Sequence, residues 1–153
     1  MAEKFKNISL KQQVYLETIY ALSVSEGHAH VKSIADKLSI RMPSVTEVMH
    51  KLAEKNLINY DVRKTISLTA EGKKIAIELD KRHSVLADFF AKILGCPASK
   101  AQSVACKVEH VVDSDFCDRL AGFADFFQDK EENGIELIKE FKDFYAKHQE
   151  KEK

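Results

Sequence analysis

Residues 31–68 read VKSIADKLSIRMPSVTEVMHKLAEKNLINYDVRKTISL, and this stretch decides the fold of the first half of the chain. Its apolar residues recur at helical spacing, which predicts a short helix over 31–38 and a second helix that runs to about Lys55. A tight polar turn separates them, and Pro43 stands where proline is tolerated, in the first turn of the second helix. Residues 57–60 and 65–68 are rich in β-formers and predict a small β-hairpin.

The flanking sequence is helical on both sides of this stretch. A first helix is predicted over 10–24, and Gly27 follows it at a C-cap-like position. Thr69 is a candidate N-cap for a long helix from about Ala70 to Leu94. Further amphipathic helices are predicted over 98–112, 114–127 and 133–147.

The expected fold is therefore mainly α. Three helices and a hairpin form an N-terminal winged helix-turn-helix, and an all-helical domain follows. We expect a first domain over 1–70 and a second over 71–130, in which 71–95 form a connector helix. A C-terminal helix and charged tail occupy 131–153.

Composition narrows the possible functions. The 153 residues contain 24 Lys+Arg and 24 Asp+Glu, which excludes a strongly basic nucleic-acid binder but not one with a local basic patch. No apolar run has the roughly 18–20 residues of a membrane span, and no signal peptide is evident. Cys96, Cys106 and Cys117 fit neither a disulfide framework nor a Cys-x-x-Cys zinc site. We expect a reduced, cytoplasmic protein that does not bind membranes.

The order helix, short turn, helix, hairpin is typical of domains that place the second helix in the major groove of DNA. Polar side chains of that helix can reach base edges, and basic residues of the hairpin can reach phosphates. The candidate DNA-binding residues are Arg41, Pro43, Ser44, Thr46, Glu47, His50, Lys51, Arg63 and Lys64. Glu47 would repel phosphates, unless it accepts from a cytosine amino group or turns away. The same elements could also be a packing unit or a protein-binding module.

A second motif, Cys106-x-x-Glu109-His110, has the chemistry of a metal site. The spacing i, i+3, i+4 puts all three side chains on one face of a helix. A thiolate, a carboxylate and an imidazole can together hold a divalent transition metal. Glu17 and His83 are further candidate ligands on other helices. The alternative is that the thiol lies in the core, while the carboxylates and imidazoles form solvated surface.

Seven short motifs carry a resemblance to a known family. They are Tyr15-Leu16-Glu17-Thr18-Ile19-Tyr20, Ile34-Ala35-Asp36-Lys37-Leu38, Pro43-Ser44-Val45-Thr46, Leu57-Ile58-Asn59-Tyr60, Leu68-Thr69-Ala70-Glu71-Gly72, Lys81-Arg82-His83 and Glu109-His110. Over about residues 10–128 the chain resembles the diphtheria-toxin-repressor family of metal-dependent transcriptional regulators, which includes the manganese-transport regulators. The resemblance implies a homodimer that binds a palindromic operator in double-stranded DNA and represses metal-uptake genes. It also implies the two-domain form without a β-barrel, in which the C-terminal helices pair the subunits.

The resemblance also implies a ligand set. Glu17 matches a ligand of the manganese-type members, and His83 matches the ligand histidine that follows the arginine. Cys106 falls where iron-type members have Cys and manganese-type members have Glu. Glu109 and His110 match both types.

Three positions depart from the family pattern. Val14 falls where the family usually has an Asp or Met ligand, and a valine cannot coordinate. Ala87 and Gln102 fall where iron-type members place ancillary ligands. The primary site is thus one ligand short, and a water or a neighbouring carbonyl could fill the gap.

The thiolate guides the expected choice of metal. It is softer than the carboxylate it replaces and favours iron(II), cobalt(II), nickel(II) or zinc(II) over manganese(II). Iron(II) is the expected metal, with manganese(II), zinc(II), cobalt(II) and nickel(II) as alternatives. The alternative function is a winged-helix regulator that has lost metal control and is gated by thiol redox state or a small ligand. The sequence has no nucleophile elbow, P-loop or His-Glu-x-x-His motif, so we expect no enzyme.

Overall fold

The computed structural model describes residues 7–61, 65–129 and 131–151. The chain divides into two compact units, residues 1–80 and residues 81–153. Within the described ranges, none of the helices is both long enough and apolar enough to cross a membrane.

Three helices open the first unit: α1 over Leu10–Glu26, α2 over Val31–Leu38 and α3 over Met42–Glu54. A capping box fixes the start of α1, since Ser9 accepts from the backbone N–H of Gln12 while the Gln12 side chain accepts from that of Ser9. Gly27 ends α1 with φ of 80°, a left-handed conformation that suits glycine. Pro43 lies in the first turn of α3, as predicted.

A small antiparallel hairpin follows α3. Strand β1 is Ile58–Asn59 and β2 is Ser67–Leu68, with Ile58 opposite Leu68. A single β-bridge links the segment between α1 and α2 to the hairpin, because the N–H of Ile66 donates to the carbonyl of Ala29 over 2.8 Å. These elements confirm the winged helix-turn-helix expected for the first half of the chain.

Thr69 fixes the exit from the hairpin. Its hydroxyl donates to the carbonyl of Asn56 over 2.8 Å and accepts from the backbone N–H of Gly72 over 3.1 Å. The predicted N-cap role of Thr69 is therefore confirmed. Helix α4, Ala70–Asp88, begins immediately after it and contains the boundary between the two units.

The core of the first unit contains residues from each of its helices. Leu16 and Ile19 of α1, Ile34 of α2 and Leu52 of α3 are fully buried, together with Leu79 of α4. Their spacing along each helix matches the apolar stripes from which the helices were predicted.

The second unit is helical in its described part. The end of α4 passes into a π-helical turn, Phe89–Ile93, and Gly95 then adopts φ of 70°. The remaining helices are α5 over Ala98–Val108, α6 over Ser114–Asp129 and α7 over Glu131–Lys151. A small core joins Leu86 and Ala87 to Ala105 and Cys117.

One helix is shorter than predicted. Helix α5 ends at Val108, whereas the apolar pattern extends to Val112. The N–H groups of Val111 and Val112 both donate to the carbonyl of Val108, which closes a turn. Glu109 is thus the C-cap of α5, and His110 stands in the turn that follows.

Candidate metal centre and DNA-binding surface

The second unit brings three of the predicted ligands together. Nδ1 of His83 on α4 lies 2.6 Å from Oε2 of Glu109, and Nε2 of His110 lies 3.5 Å from Oε1 of the same carboxylate. Glu109 is only 2% exposed. A buried carboxylate needs compensating partners, and His83 supplies one through its hydrogen bond to Glu109. The cluster combines one anionic oxygen donor group with two imidazoles, a set that suits a divalent transition metal.

The electrostatics favour the coordinating form of His110. Burial is the largest cause that lowers the pKa of His110, and the charges of Arg82 and His83 lower it further. The neutral imidazole is the form that binds metal, so this environment keeps the ligand ready at neutral pH.

Gln102, which falls at an ancillary-ligand position of the iron-type members, lies against His83 in the structure. Its Oε1 lies 2.6 Å from Nε2 of His83, on the opposite side of the ring from Glu109. The ring is therefore held from both sides. Such partners orient ligand histidines and tune their basicity.

Arg82 is a site residue that the sequence analysis missed. It is 6% exposed, and its guanidinium donates to the carbonyl of Val112 over 2.9 Å and to the hydroxyl of Ser114 over 3.0 Å. These bonds tie α4 to the turn that carries His110. A buried arginine beside a ligand histidine could have been suspected from the motif Lys81-Arg82-His83.

Two further predicted ligands, Cys106 and Glu17, lie on α5 and α1. Cys106 is exposed on α5, and Glu17 is half-buried on α1 in the first unit. Among the departures from the family pattern, Val14 is half-buried on α1 and Ala87 belongs to the small core of the second unit. Neither aliphatic side chain offers a donor atom.

The proposed DNA-reading helix, α3, presents its polar residues to solvent. Its exposed predicted residues are Pro43, Ser44, Glu47, His50 and Lys51, and Arg41 is exposed as its N-cap. Thr46 is half-buried, and its hydroxyl donates to the carbonyl of Met42 over 3.2 Å. The wing-tip candidates Arg63 and Lys64 lie outside the described residues.

Two contacts organise this surface. Lys51 Nζ lies 2.5 Å from Oε1 of Glu47 one turn earlier, and this pairing lowers the pKa of Glu47 and raises that of Lys51. The ring of His50 meets Tyr60 edge-to-face, with centroids 5.2 Å apart. Glu47 is therefore paired with a neighbouring cation, whose charge it neutralises.

Comparison with known proteins identifies the family. Residues 7–66 match the family described as "Iron dependent repressor, N-terminal DNA binding domain". Residues 69–136 match "Iron dependent repressor, metal binding and dimerisation domain". The chain is 32% identical to the HTH-type transcriptional regulator MntR of Bacillus pumilus over 123 residues, which is 80% of this chain and 85% of that protein.

Solved structures agree with this match. The manganese regulator SloR is 30% identical with a TM-score of 0.66, over 75% of this chain. ScaR with bound Zn²⁺ is 28% identical with a TM-score of 0.64, over 75% of this chain. The match spans 54% of the chain in each of these two structures, so this protein covers about half of their length.

These likenesses concern transcriptional regulators and not enzymes. They extend over both the winged-helix part and the helical part of the chain. The chain belongs to the iron-dependent repressor family, that is, the diphtheria-toxin-repressor family of metal-dependent, DNA-binding transcriptional regulators.

Proposed function

We propose that the protein is a homodimeric, metal-activated repressor in the cytoplasm, where it binds a palindromic operator and controls metal-uptake genes. The observation that carries this proposal is the cluster of His83, Glu109 and His110. A buried carboxylate shared by two imidazoles has the donor chemistry of a regulatory metal site.

Five residues form the proposed ligand set. His83, Glu109 and His110 come from the second unit, and Cys106 adds a thiolate from the exposed side of α5. Glu17 of the first unit enters the set because it matches a ligand position of the family. The bound ion would supply positive charge to the carboxylate of Glu109, which is buried in the second unit. We divide the two functional regions at about residue 70. The conformation that binds both the metal ion and the operator most tightly is favoured when the ion is present, because the two binding equilibria are linked.

The identity of the metal is a finer part of the proposal. Relatives include a manganese regulator and a protein with bound Zn²⁺. Cys106 brings a thiolate, which favours iron(II), cobalt(II), nickel(II) and zinc(II) over manganese(II). We place iron(II) first, with manganese(II) or zinc(II) next.

DNA recognition is assigned to α3 and the hairpin. Exposed Ser44 and His50 supply hydrogen-bonding groups for base edges, while Arg41 and Lys51 supply charge for phosphates. In a homodimer the two copies of α3 would enter successive major grooves about 34 Å apart on a palindromic site. We assign phosphate contacts at the wing tip to Arg63 and Lys64.

The helical unit offers a surface for a second copy. Helices α6 and α7 expose large apolar side chains, and a soluble protein rarely leaves so many uncovered. They are Phe116, Phe123, Phe126, Ile135, Leu137, Phe141, Phe144 and Tyr145. We propose that the partner subunit covers this face.

The test is DNA binding as a function of metal. Apo protein is prepared anaerobically, and its affinity for the promoter upstream of its own gene is measured with iron(II), manganese(II), zinc(II) and cobalt(II) separately. We expect tight binding only with metal, and the metals should rank by affinity. With cobalt(II), a thiolate charge-transfer band should appear and should be lost in Cys106→Ser.

The matched variants are Glu109→Gln at the cluster and Glu140→Gln on the exposed part of α7. Only the first should abolish the metal response, and both should remain dimeric in sedimentation. Equal DNA affinity with and without every metal would overturn the proposal.

A thiol-gated regulator is the second candidate, and the exposed thiol of Cys106 favours it. Such a protein would lose DNA affinity on treatment with peroxide and would be indifferent to chelator. The metal-activated repressor predicts the opposite response to chelator, so the two candidates are separated by one experiment.

A further inference from the structure

Two histidines stand side by side in the short segment that joins α1 to α2. His28 and His30 flank Ala29, which is 0% exposed, while both histidines are exposed. In an extended segment successive side chains point to opposite faces. Because Ala29 points into the core, His28 and His30 share the outer face.

The spacing of the two rings suits a chelate. Their centroids are 4.9 Å apart and their planes are inclined by 73°. Two imidazoles that bind one zinc ion through Zn–N bonds of about 2.0–2.1 Å at a tetrahedral angle have centroids roughly 5 Å apart. Ring rotation alone could therefore aim one nitrogen of each ring at a common ion.

The backbone beneath the pair is fixed on both sides. The carbonyl of Ala29 accepts from Ile66 over 2.8 Å, and the carbonyl of His30 accepts from Ile34 over 3.0 Å. Gly27, in its left-handed conformation, sets the direction of the segment as it leaves α1. The ion would bind to a segment that is already ordered, which reduces the entropy cost of forming the site.

We propose that His28 and His30 form a second metal site, on the DNA-binding unit, for a cation that prefers imidazole. Zinc(II) is the reference ion, and nickel(II) and copper(II) belong to the same class, with water completing the coordination. Manganese(II) prefers oxygen ligands and would bind poorly there. The proposal does not depend on the cluster around Glu109, because no residue is shared.

A consequence for the wing follows from the placement. The hairpin is held to this segment through the hydrogen bond from Ile66 to Ala29. Ala29 is the residue between the two histidines. An ion that clips His28 to His30 would stiffen the segment. Hydrogen exchange at the Ile66 amide should then slow when zinc is added.

The test uses the full chain and zinc(II) itself. Zinc stoichiometry is measured by calorimetry for the wild type and for His28→Gln/His30→Gln, and imidazole resonances are followed by NMR. We expect the double variant to bind one zinc equivalent fewer per chain. The resonances of His28 and His30 should shift together at micromolar zinc.

His148→Gln is the matched control, since His148 is also exposed but contacts Phe144 and, among the residues that the structure describes, no second imidazole. It should keep the wild-type stoichiometry. Equal zinc numbers in the wild type and the double variant would overturn the site, as would shifts that require millimolar zinc. A loss of one equivalent in the His148 variant as well would show that the pair has no special affinity.

Discussion

His83 and Glu109 are joined by a contact of 2.6 Å between Nδ1 and Oε2, and the other ring nitrogen of His83 lies 2.6 Å from Oε1 of Gln102. Both nitrogens of this ring thus have a protein partner. For His83 to coordinate an ion, one of these contacts must be exchanged for a bond to the metal.

Replacing Glu109 by Gln keeps the size of the side chain and removes its charge. We expect metal affinity to fall by more than the 10–100-fold that is typical of losing an outer partner, because a charged ligand is lost. Metal titration of the apo protein measures this, with Glu140→Gln as the charge-matched control. An unchanged affinity would remove Glu109 from the ligand set.

Gln102→Ala tests the partner on the other side of the ring. Losing the contact that orients His83 should lower metal affinity about 10–100-fold without abolishing it. The neighbouring Ser103→Ala, at an exposed position of α5, should leave affinity unchanged. If Gln102→Ala binds metal more tightly, then Gln102 competes with the ion instead of positioning its ligand.

Glu47→Gln tests the ion pair on α3. Lys51 lowers the pKa of Glu47, so the carboxylate stays ionised well below neutral pH and neutralises Lys51 under all ordinary conditions. Freeing Lys51 should strengthen non-specific DNA binding several-fold. If Lys51 then contacts one phosphate, a plot of log binding constant against log salt concentration should become steeper by about 0.9. Fluorescence anisotropy over a salt series measures both. Glu140→Gln again controls for net charge, and an unchanged slope would place Lys51 away from phosphate.

Gly72→Ala tests a close backbone contact in the first unit. A Cβ at this position would lie 1.9 Å from the carbonyl oxygen of Leu57, so the hairpin or α4 would have to move. We expect a loss of about 1–3 kcal/mol in unfolding free energy. Gly122→Ala is the control, since a Cβ there meets nothing within 4 Å, and it should gain about 0.5–1 kcal/mol from helix propensity. Urea denaturation compares the two, and similar effects would contradict the packing argument.

Tyr15→Phe tests a buried phenol. Tyr15 is 2% exposed, its hydroxyl has no hydrogen-bond partner among the described residues, and burial raises its pKa, with a smaller contribution from Glu47. Because the folded pKa lies above the unfolded value near 10, the stability that this group contributes is complete below pH 10 and is lost as the pH rises through the folded pKa. The Tyr15→Phe variant should therefore differ from the wild type by less than about 1 kcal/mol in unfolding free energy at neutral pH. It should also lose less stability than the wild type at alkaline pH. Thermal unfolding at neutral and alkaline pH decides this, and an unchanged alkaline loss would contradict it.

The winged unit was predictable because local rules determine it. Pro43 begins a helix, Gly27 ends one and Thr69 caps one, and each acts through backbone geometry within a few residues. The apolar stripes supply the rest, since a period of 3.6 leaves one face of each helix to bury.

The geometry of the metal cluster was less predictable, because it depends on contacts distant in sequence. Val111 and Val112 continue the apolar pattern of α5, so periodicity extends the helix too far. Arg82 binds the carbonyl of Val112 from 30 residues away, a contact that no local pattern encodes. The spacing of Glu109 and His110 could indicate a metal, but not that His83 and Gln102 would face each other beside them.

Thr69 has a further consequence. One hydroxyl joins the turn after α3 to the first turn of α4, since it bonds to Asn56 and to Gly72. A thermal fluctuation that releases this hydroxyl frees both partners at once. The start of α4 and the base of the hairpin should therefore open as a single cooperative unit, with one common opening free energy for their slowly exchanging amides.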